Sequence, residues 1–487
     1  MFFLHQSTRT ASVVSIVLLM LGATARVATG QAHSITGAAS GNGLREVTAA
    51  PKPERPSVDP LITQVIRDVS PAQIQQTITK LASFGTRHTL SVNNPGAATS
   101  EQGIVAARKW IKAEFERYSA QCGGCLDVQT DTFVQEPNNR VPQPTELQNV
   151  YAILHGTDPA QAKRIYLVTG HYDSRNKDPL NSTDPAPGAN DDGSGTAVSL
   201  ECARVLSKHK FPVTLIFLTV AGEEQGLNGS AHFAKMAKAQ GWQLEGVLNN
   251  DIVGGNRTPG ETLQKSSVVR VFSEGLPAAA TEADLRRIRA AGGEDDSTSR
   301  QLARYIAEVG AAYDFGHFGP QLIFRRDRYL RGGDHSAFND QGFAAVRFTE
   351  YREDFHHQHE NPRTENGIEF GDLLKFVDFD YAANVARLNA ATLASLASSP
   401  ALPGKVRLLT KGLENDSKIQ WEAAPGASAY EVLWRLTSDP GFPEGNVTRT
   451  KETSVDLAES KDNVIFGVRS VGAQGHRSLI VIPEPER

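Results

Sequence analysis

Three apolar runs constrain this chain most, because each ends at a residue able to hold a metal ion. Residues 164–170, rich in β-branched and large apolar side chains, end at His171. Residues 212–220 lead into Gly222-Glu223-Glu224, and a third, weaker run over 244–250 ends at Asp251. Runs of this length and composition read as strands buried on both faces. Between them, Ala197, Leu200, Ala203, Val205 and Leu206 fall at helical spacing, and residues 230–239 read as another helix. The alternation predicts an α/β fold, a mostly parallel mixed sheet sandwiched by helices, with ligands gathered at the carboxyl ends of the strands.

That rim would collect one imidazole, His171, with the carboxylates of Asp173, Asp191, Asp192, Glu223, Glu224 and Asp251. So many carboxylates in one crevice repel one another and resist ionisation unless a cation compensates them. A single imidazole among carboxylates suits Zn²⁺, with Mn²⁺ or Co²⁺ as substitutes, whereas Ca²⁺ would use more carbonyl oxygens and no imidazole. Taken one at a time these residues read as solvated turns or a structural histidine; their order and number favour a metal centre.

The motifs His171-Tyr-Asp173, Asn190-Asp191-Asp192-Gly-Ser-Gly195, Gly222-Glu223-Glu224-Gln-Gly-Leu-Asn-Gly-Ser230 and Asn250-Asp251-Ile-Val-Gly254, followed by a late histidine, resemble the M28 family of zinc peptidases over roughly residues 70–395. The resemblance implies two Zn²⁺ per chain. It places His171 and Asp251 on one ion, Glu224 and the late histidine on the other, and Asp191 between them. Glu223 would be the general base toward the attacking water, and Asp173 would fix the tautomer of His171. Two ions held roughly 3.5–4 Å apart can act together on one scissile carbonyl.

The late ligand comes from Phe355-His356-His357-Gln358-His359-Glu360-Asn361. Family members commonly place this histidine four residues before an Asp; His357 stands four before Asn361, which makes His357 the expected ligand and His359 the alternative. Many members carry a Tyr just before the ligand, as a donor to the oxyanion. His356 occupies that position here, so His356 and Tyr351 are the oxyanion candidates. Residues 332–338 are similar to a pocket-lining segment of the family, making Asp334 and His335 candidates for supporting the pocket or touching substrate.

The resemblance implies an exopeptidase, first an aminopeptidase acting on a peptide or protein N-terminus. Arg325, Arg326, Arg328 and Arg331 keep a carboxypeptidase or dipeptidase open, since such enzymes need cations for a terminal carboxylate. A glutaminyl cyclase with one zinc and a non-catalytic binding homologue are further alternatives, weighed against by the full two-metal set and by Glu223. A net charge of −5 with no basic run disfavours nucleic acid or an anionic membrane as partner.

At 487 residues the chain exceeds one ordinary core. Arg9, the apolar residues 13–21 and Ala23-Thr-Ala25 have the plan of a signal peptide over 1–30, which predicts a secreted or periplasmic enzyme with no stable membrane insertion after cleavage. Residues 31–60 read as a linker or pro-segment, 61–398 as the peptidase-like domain with a long terminal helix, and 399–404 as a second linker. Within the peptidase region, charge and glycine over 255–320 suggest an insertion or lid. Residues 405–487 switch to short alternating runs around Trp421, Tyr430 and Val464, an antiparallel β-sandwich that resembles a fibronectin type III module and would serve as a spacer or bind a surface. Cys122 and Cys125 can close a small disulfide in an oxidising compartment, and Cys202 reads as a buried thiol.

Overall fold

The structure, a computed structural model, describes residues 58–94 and 101–486. The signal peptide expected over 1–30 and nearly all of the linker expected over 31–60 lie outside the described residues. Eight strands form the central sheet: β1 (Leu126–Gln135), β2 (Thr145–Leu154), β3 (Arg164–His171), β4 (Thr214–Val220), β5 (Gln243–Asn250), β6 (Val268–Ser273), β7 (Gly319–Ile323) and β8 (Ala345–Glu350). Their spatial order is β1-β2-β4-β3-β5-β8-β6-β7. The central pairs β4/β3, β3/β5 and β5/β8 are parallel, while β1/β2, β2/β4 and β6/β8 are antiparallel.

Helices α1 (Pro60–Asp68), α2 (Pro71–Ala82), α3 (Gly103–Gln121), α4 (Gly193–Leu206), α5 (Asn228–Ala239), α6 (Glu282–Ala290), α7 (Thr298–Ala312), α8 (Asp334–Asp340) and α9 (Phe379–Ala397) complete this layer architecture. The period-2 alternation of the central strands explains why both faces must be covered. Leu167, Ile216, Leu218 and Val247 point to a core shared with Phe233 of α5 and Phe338 of α8. Their neighbours Tyr166, Val168, Phe217 and Leu248 point the other way, into the larger core with α2, α4 and α9. Each such buried side chain contributes about 1.5–3 kcal/mol.

The stretch 255–320 is only partly an excursion, since α6 within it buries no residue. It also supplies β6, α7 and the start of β7, which extend the sheet beyond β8. The insertion or lid expected there thus includes a strand of the central sheet: Val268-Val-Arg-Val-Phe272 is a short alternating strand between charged turns, which dilute its signal.

After β9 (Arg363–Glu365) and β10 (Ile368–Phe370), a small hairpin, the chain runs through α9 into seven further strands. These are β11 (Gly404–Leu409), β12 (Ser417–Glu422), β13 (Ala429–Leu436), β14 (Val447–Thr450), β15 (Ser454–Leu457), β16 (Val464–Val471) and β17 (Glu484–Glu486), in sheets ordered β15-β12-β11-β17 and β14-β13-β16. All pairs are antiparallel except β11 with β17. Trp421 packs edge-on against Tyr430 at 5.3 Å in their shared core. Arg435 of β13 reaches Asp296 at 2.7 Å, and Asp296 also holds Arg304 of α7 at 2.9 Å, all three side chains being buried. Cys122 and Cys125 are joined in a disulfide, and Cys202 is a buried thiol. No helix among the described residues is long and apolar enough to cross a membrane.

Candidate metal centre

The carboxyl ends of β3, β4 and β5 bring His171, Glu223, Glu224 and Asp251 to one crevice, and the loop entering α4 adds Asp191. Close backbone packing makes this possible. A side chain at Gly195 would lie 2.0 Å from the carbonyl of Asn250, so the first turn of α4 sits directly against the end of β5. Asp192 caps α4 by accepting from Gly195 N at 2.8 Å, and the same carboxylate accepts from the backbone N–H of His171 at 3.0 Å and of Ile252 at 3.3 Å. One capping residue thus ties together the ends of β3, β5 and α4. Asp372 holds the preceding loop, accepting from Asn190 N and Asp191 N at 2.8 and 2.7 Å.

Two donor triads result. His171 Nε2 is 3.2 Å from Asp191 Oδ1 and 3.9 Å from Asp251 Oδ1. His359 Nε2 is 2.9 Å from Asp191 Oδ2 and 3.1 Å from Glu224 Oε1. Within each triad one ligand atom per residue lies within 4.8 Å of the others, and Asp191 belongs to both. His171 Nε2 and Glu224 Oε1 are buried and make no hydrogen bond. Buried polar atoms are almost always partnered, so these two are the kind of atoms a cation would satisfy. Imidazole and carboxylate donors in groups of three fit zinc.

Electrostatics point the same way. Burial opposes ionisation of Asp191, yet His359 and His171 hold it well below the usual carboxylate range. Burial likewise depresses His359, but Glu224 and Asp191 outweigh it and raise the imidazole to about 10. Glu223 goes the other way: burial, then the neighbouring charges of Asp251 and Glu224, push its carboxyl well above the ordinary range. Protons here stand in for the positive charge that a metal would bring.

The histidine expected from the sequence is displaced. His357 does not reach this centre; its ring stacks on Phe376 at 3.7 Å, and its Nδ1 is 3.9 Å from Asp354. His359, the alternative, sits in the second triad, its backbone in a left-handed conformation with φ 58°. Asp173 also differs in detail. His171 Nδ1 meets the backbone carbonyl of Asp173 at 3.2 Å, and the carboxylate, 3.6 Å away, instead accepts from the N–H groups of Glu223 and Glu224 and from Thr89.

A cavity of about 560 Å³ opens onto Asp191, Glu223, Glu224, Asp251 and His359. None of the four substrate or oxyanion candidates lines it. His356 is exposed beside Asp354, Tyr351 lies under Lys265, Asp334 is buried on Ser230 at 2.5 Å, and His335 meets the carbonyl of Arg326 at 2.9 Å. Burial raises the Asp334 carboxyl to about 7 and lowers His335 to about 4. The wall is instead made by Arg140, Arg175, Arg328, Arg331, Phe355 and Gln358. Gln358 donates to Asp191 Oδ2 at 3.1 Å while its own Oε1 has no partner. Only its position beside His359 could have marked it in the sequence.

The family model for peptidase family M28 matches residues 149–373, the stretch that supplies every residue of both triads. A "Probable zinc metalloprotease" of Pyrenophora teres f. teres is 45% identical over 88% of this chain and 87% of its own length. Another of that description, from Pyricularia oryzae, is 44% identical over 86% of this chain and 83% of its own. The chain belongs to peptidase family M28, the zinc metalloproteases. Among solved structures, the LapA aminopeptidase of Legionella pneumophila shares the fold, with a TM-score of 0.50 and 19% identity over 73% of this chain and 78% of that one.

Proposed function

We propose that this zinc metalloprotease is an exported exopeptidase that uses two metal ions, taking the aminopeptidase direction as the leading reading. The observation that carries the proposal is the sharing of Asp191 between two triads, with Glu223 beside Glu224 at the floor of the same cavity. His171, Asp191 and Asp251 would hold one zinc; Asp191, Glu224 and His359 would hold the other. Bound zinc supplies Lewis acidity toward a carbonyl and lowers the pKa of water from about 15.7 to near 7.

The chain's own residues account for the rest. Glu223 takes a proton from the water that adds to the scissile carbonyl carbon, and returns it to the nitrogen as the C–N bond breaks. Such proton transfer contributes on the order of 10² to 10⁴ in rate. Asp173, bonded to the backbone of both Glu223 and Glu224, keeps base and ligand in register. A cavity of about 560 Å³ has the size of a small-ligand pocket, which suits a chain end better than the middle of an extended strand. Two complete triads and an intact Glu223 favour peptide hydrolysis over a one-zinc cyclase or a binding homologue.

Export is supported by the apolar segment 13–21 and by the Cys122–Cys125 disulfide. We take 61–398 as the peptidase domain, 399–404 as its linker, and 405–487 as a fibronectin type III-like spacer. The test is hydrolysis of one zinc-dependent peptide substrate in free, N-acetylated and C-amidated forms. Loss on acetylation alone supports the aminopeptidase reading; loss on amidation alone overturns it in favour of a carboxypeptidase.

A further inference from the structure

The metal centre is acidic, but the wall above it is basic. Asp191, Glu223, Glu224 and Asp251 bring four formal negative charges to the floor, matched by the four positive charges of two zinc ions. With the floor neutralised, the arginines of the wall decide which substrate charge is welcome.

Their partners fall short of their number. Glu353 alone serves Arg270 at 2.9 Å, Arg328 at 2.8 Å and Arg331 at 3.1 Å. Arg328 also meets Asp327, but Asp327 is shared with the buried Arg347. Arg347's other carboxylate is Asp251, at 3.0 Å, a residue that the first metal would claim. Exposed Arg140, which lines the same cavity, donates to the backbone carbonyl of Glu224 at 2.9 Å and has no carboxylate partner among the described residues. Arg331 keeps a 33% exposed side chain, and Phe355 beside it is 67% exposed. Two guanidiniums with free donors therefore face one small cavity from chain segments 191 residues apart.

We infer that Arg140 and Arg331 bind a carboxylate of the substrate close to the scissile bond, so that the preferred substrates are short peptides with a free terminal carboxylate or peptides with an acidic residue near the cleaved end. The inference rests on the peptidase reading above. Arginine pairs with carboxylates through charge-assisted, often bidentate, hydrogen bonds, and the two sources of a carboxylate share that chemistry. An isolated exposed pair gains little, but here two guanidiniums line one cavity, and Arg331 shares its carboxylate Glu353 with Arg270 and Arg328.

The test uses the full chain loaded with zinc. Binding of a tripeptide, its C-terminal amide, and amidated peptides containing Asp or Asn beside the cleaved residue is measured by calorimetry on the Glu223→Gln protein, whose slowed turnover leaves the peptide intact during the titration. Hydrolysis of the same peptides is measured on the wild-type enzyme. The free tripeptide, the Asp peptide or both should bind about tenfold tighter than their neutral counterparts, and the arm that shows the preference identifies the source. Arg140→Ala and Arg331→Ala should remove most of that ratio, the loss falling on KM for the charged peptides, and Arg140→Lys should restore part of it. Hydrolysis of charged and neutral forms with equal kcat/KM, or a ratio that the double alanine variant leaves unmoved, overturns the inference and leaves the peptidase standing. Binding and hydrolysis of none of them overturns the peptidase reading and the inference together.

Discussion

His359 Nε2 lies 2.9 Å from Asp191 Oδ2, across 168 residues of sequence, while His357, two residues earlier, packs on Phe376. Replacing the two histidines should therefore separate their roles. His359→Ala is expected to lose one of two bound metals and nearly all peptide hydrolysis. His357→Ala should keep both metals and cost about 1 kcal/mol of stability from the lost ring packing. Metal content by mass spectrometry, with unfolding curves, checks both; loss of a metal in His357→Ala would reverse the assignment.

Metal binding at the second triad should release protons. His359 is raised to about 10 in the metal-free protein by Glu224 and Asp191 against the opposing effect of burial, so at pH 7 to 8 it carries a proton that a ligand cannot keep. Apparent zinc affinity should rise with pH up to about 10, and calorimetry in buffers of different ionisation enthalpy should count about one proton released from this group. The same shift fixes the sign for stability. Because the folded value exceeds the unfolded one, near 6.5, its stabilisation of the metal-free chain is full below about 6.5 and lost as pH rises toward 10. Chelator-treated protein should melt lower at pH 9 than at pH 6.5, provided the remaining groups are accounted for by a His359→Gln control.

Arg175 stands against the second metal position. Its Nε donates to Glu224 Oε2 at 3.0 Å and its Nη2 lies 2.7 Å from His359 Nδ1. Nδ1 carries a proton both in the imidazolium of the metal-free protein and in an imidazole that would ligate through Nε2, so in either state the guanidinium has to withdraw from it. Arg175→Ala should raise second-site zinc affinity about tenfold in chelator competition, by removing a nearby positive charge. A fall in affinity would mean that Arg175 serves to orient Glu224.

The β-sandwich is fastened to the peptidase core through buried charge. Arg435 and Arg304 converge on Asp296, and Arg469 reaches Glu308 of α7 at 2.7 Å. Asp296→Ala leaves two buried guanidiniums short of a carboxylate and should cost about 3–5 kcal/mol in chemical unfolding. The same α7 carries Arg300, stacked 3.9 Å above Phe324 at the root of the arginine-rich loop, so the variant should also weaken substrate binding. An unchanged unfolding midpoint would show that the sandwich is only tethered.

Much of the site was legible because strand ends are legible. His171, Glu223 and Glu224 follow apolar runs and Asp251 a weaker one broken by Glu245, Asn249 and Asn250, and a parallel sheet brings such ends together whatever lies between them. His359 was not, because it lies with His356 and His357 in one turn, where no apolar period reports which ring faces the site. The arginines of the wall were visible as residues, but their excess over Glu353 and Asp327 is a property of packing. The strand β6 was obscured in a similar way, its alternation being only a few residues long between charged turns.

Glu223 is the residue on which the proposed hydrolysis turns. Zinc content and peptide hydrolysis measured on one sample of Glu223→Gln test it most directly. Two zinc ions per chain with kcat reduced by roughly 10² to 10⁴ is the expected result. Two zinc ions with hydrolysis near the wild-type rate would contradict it.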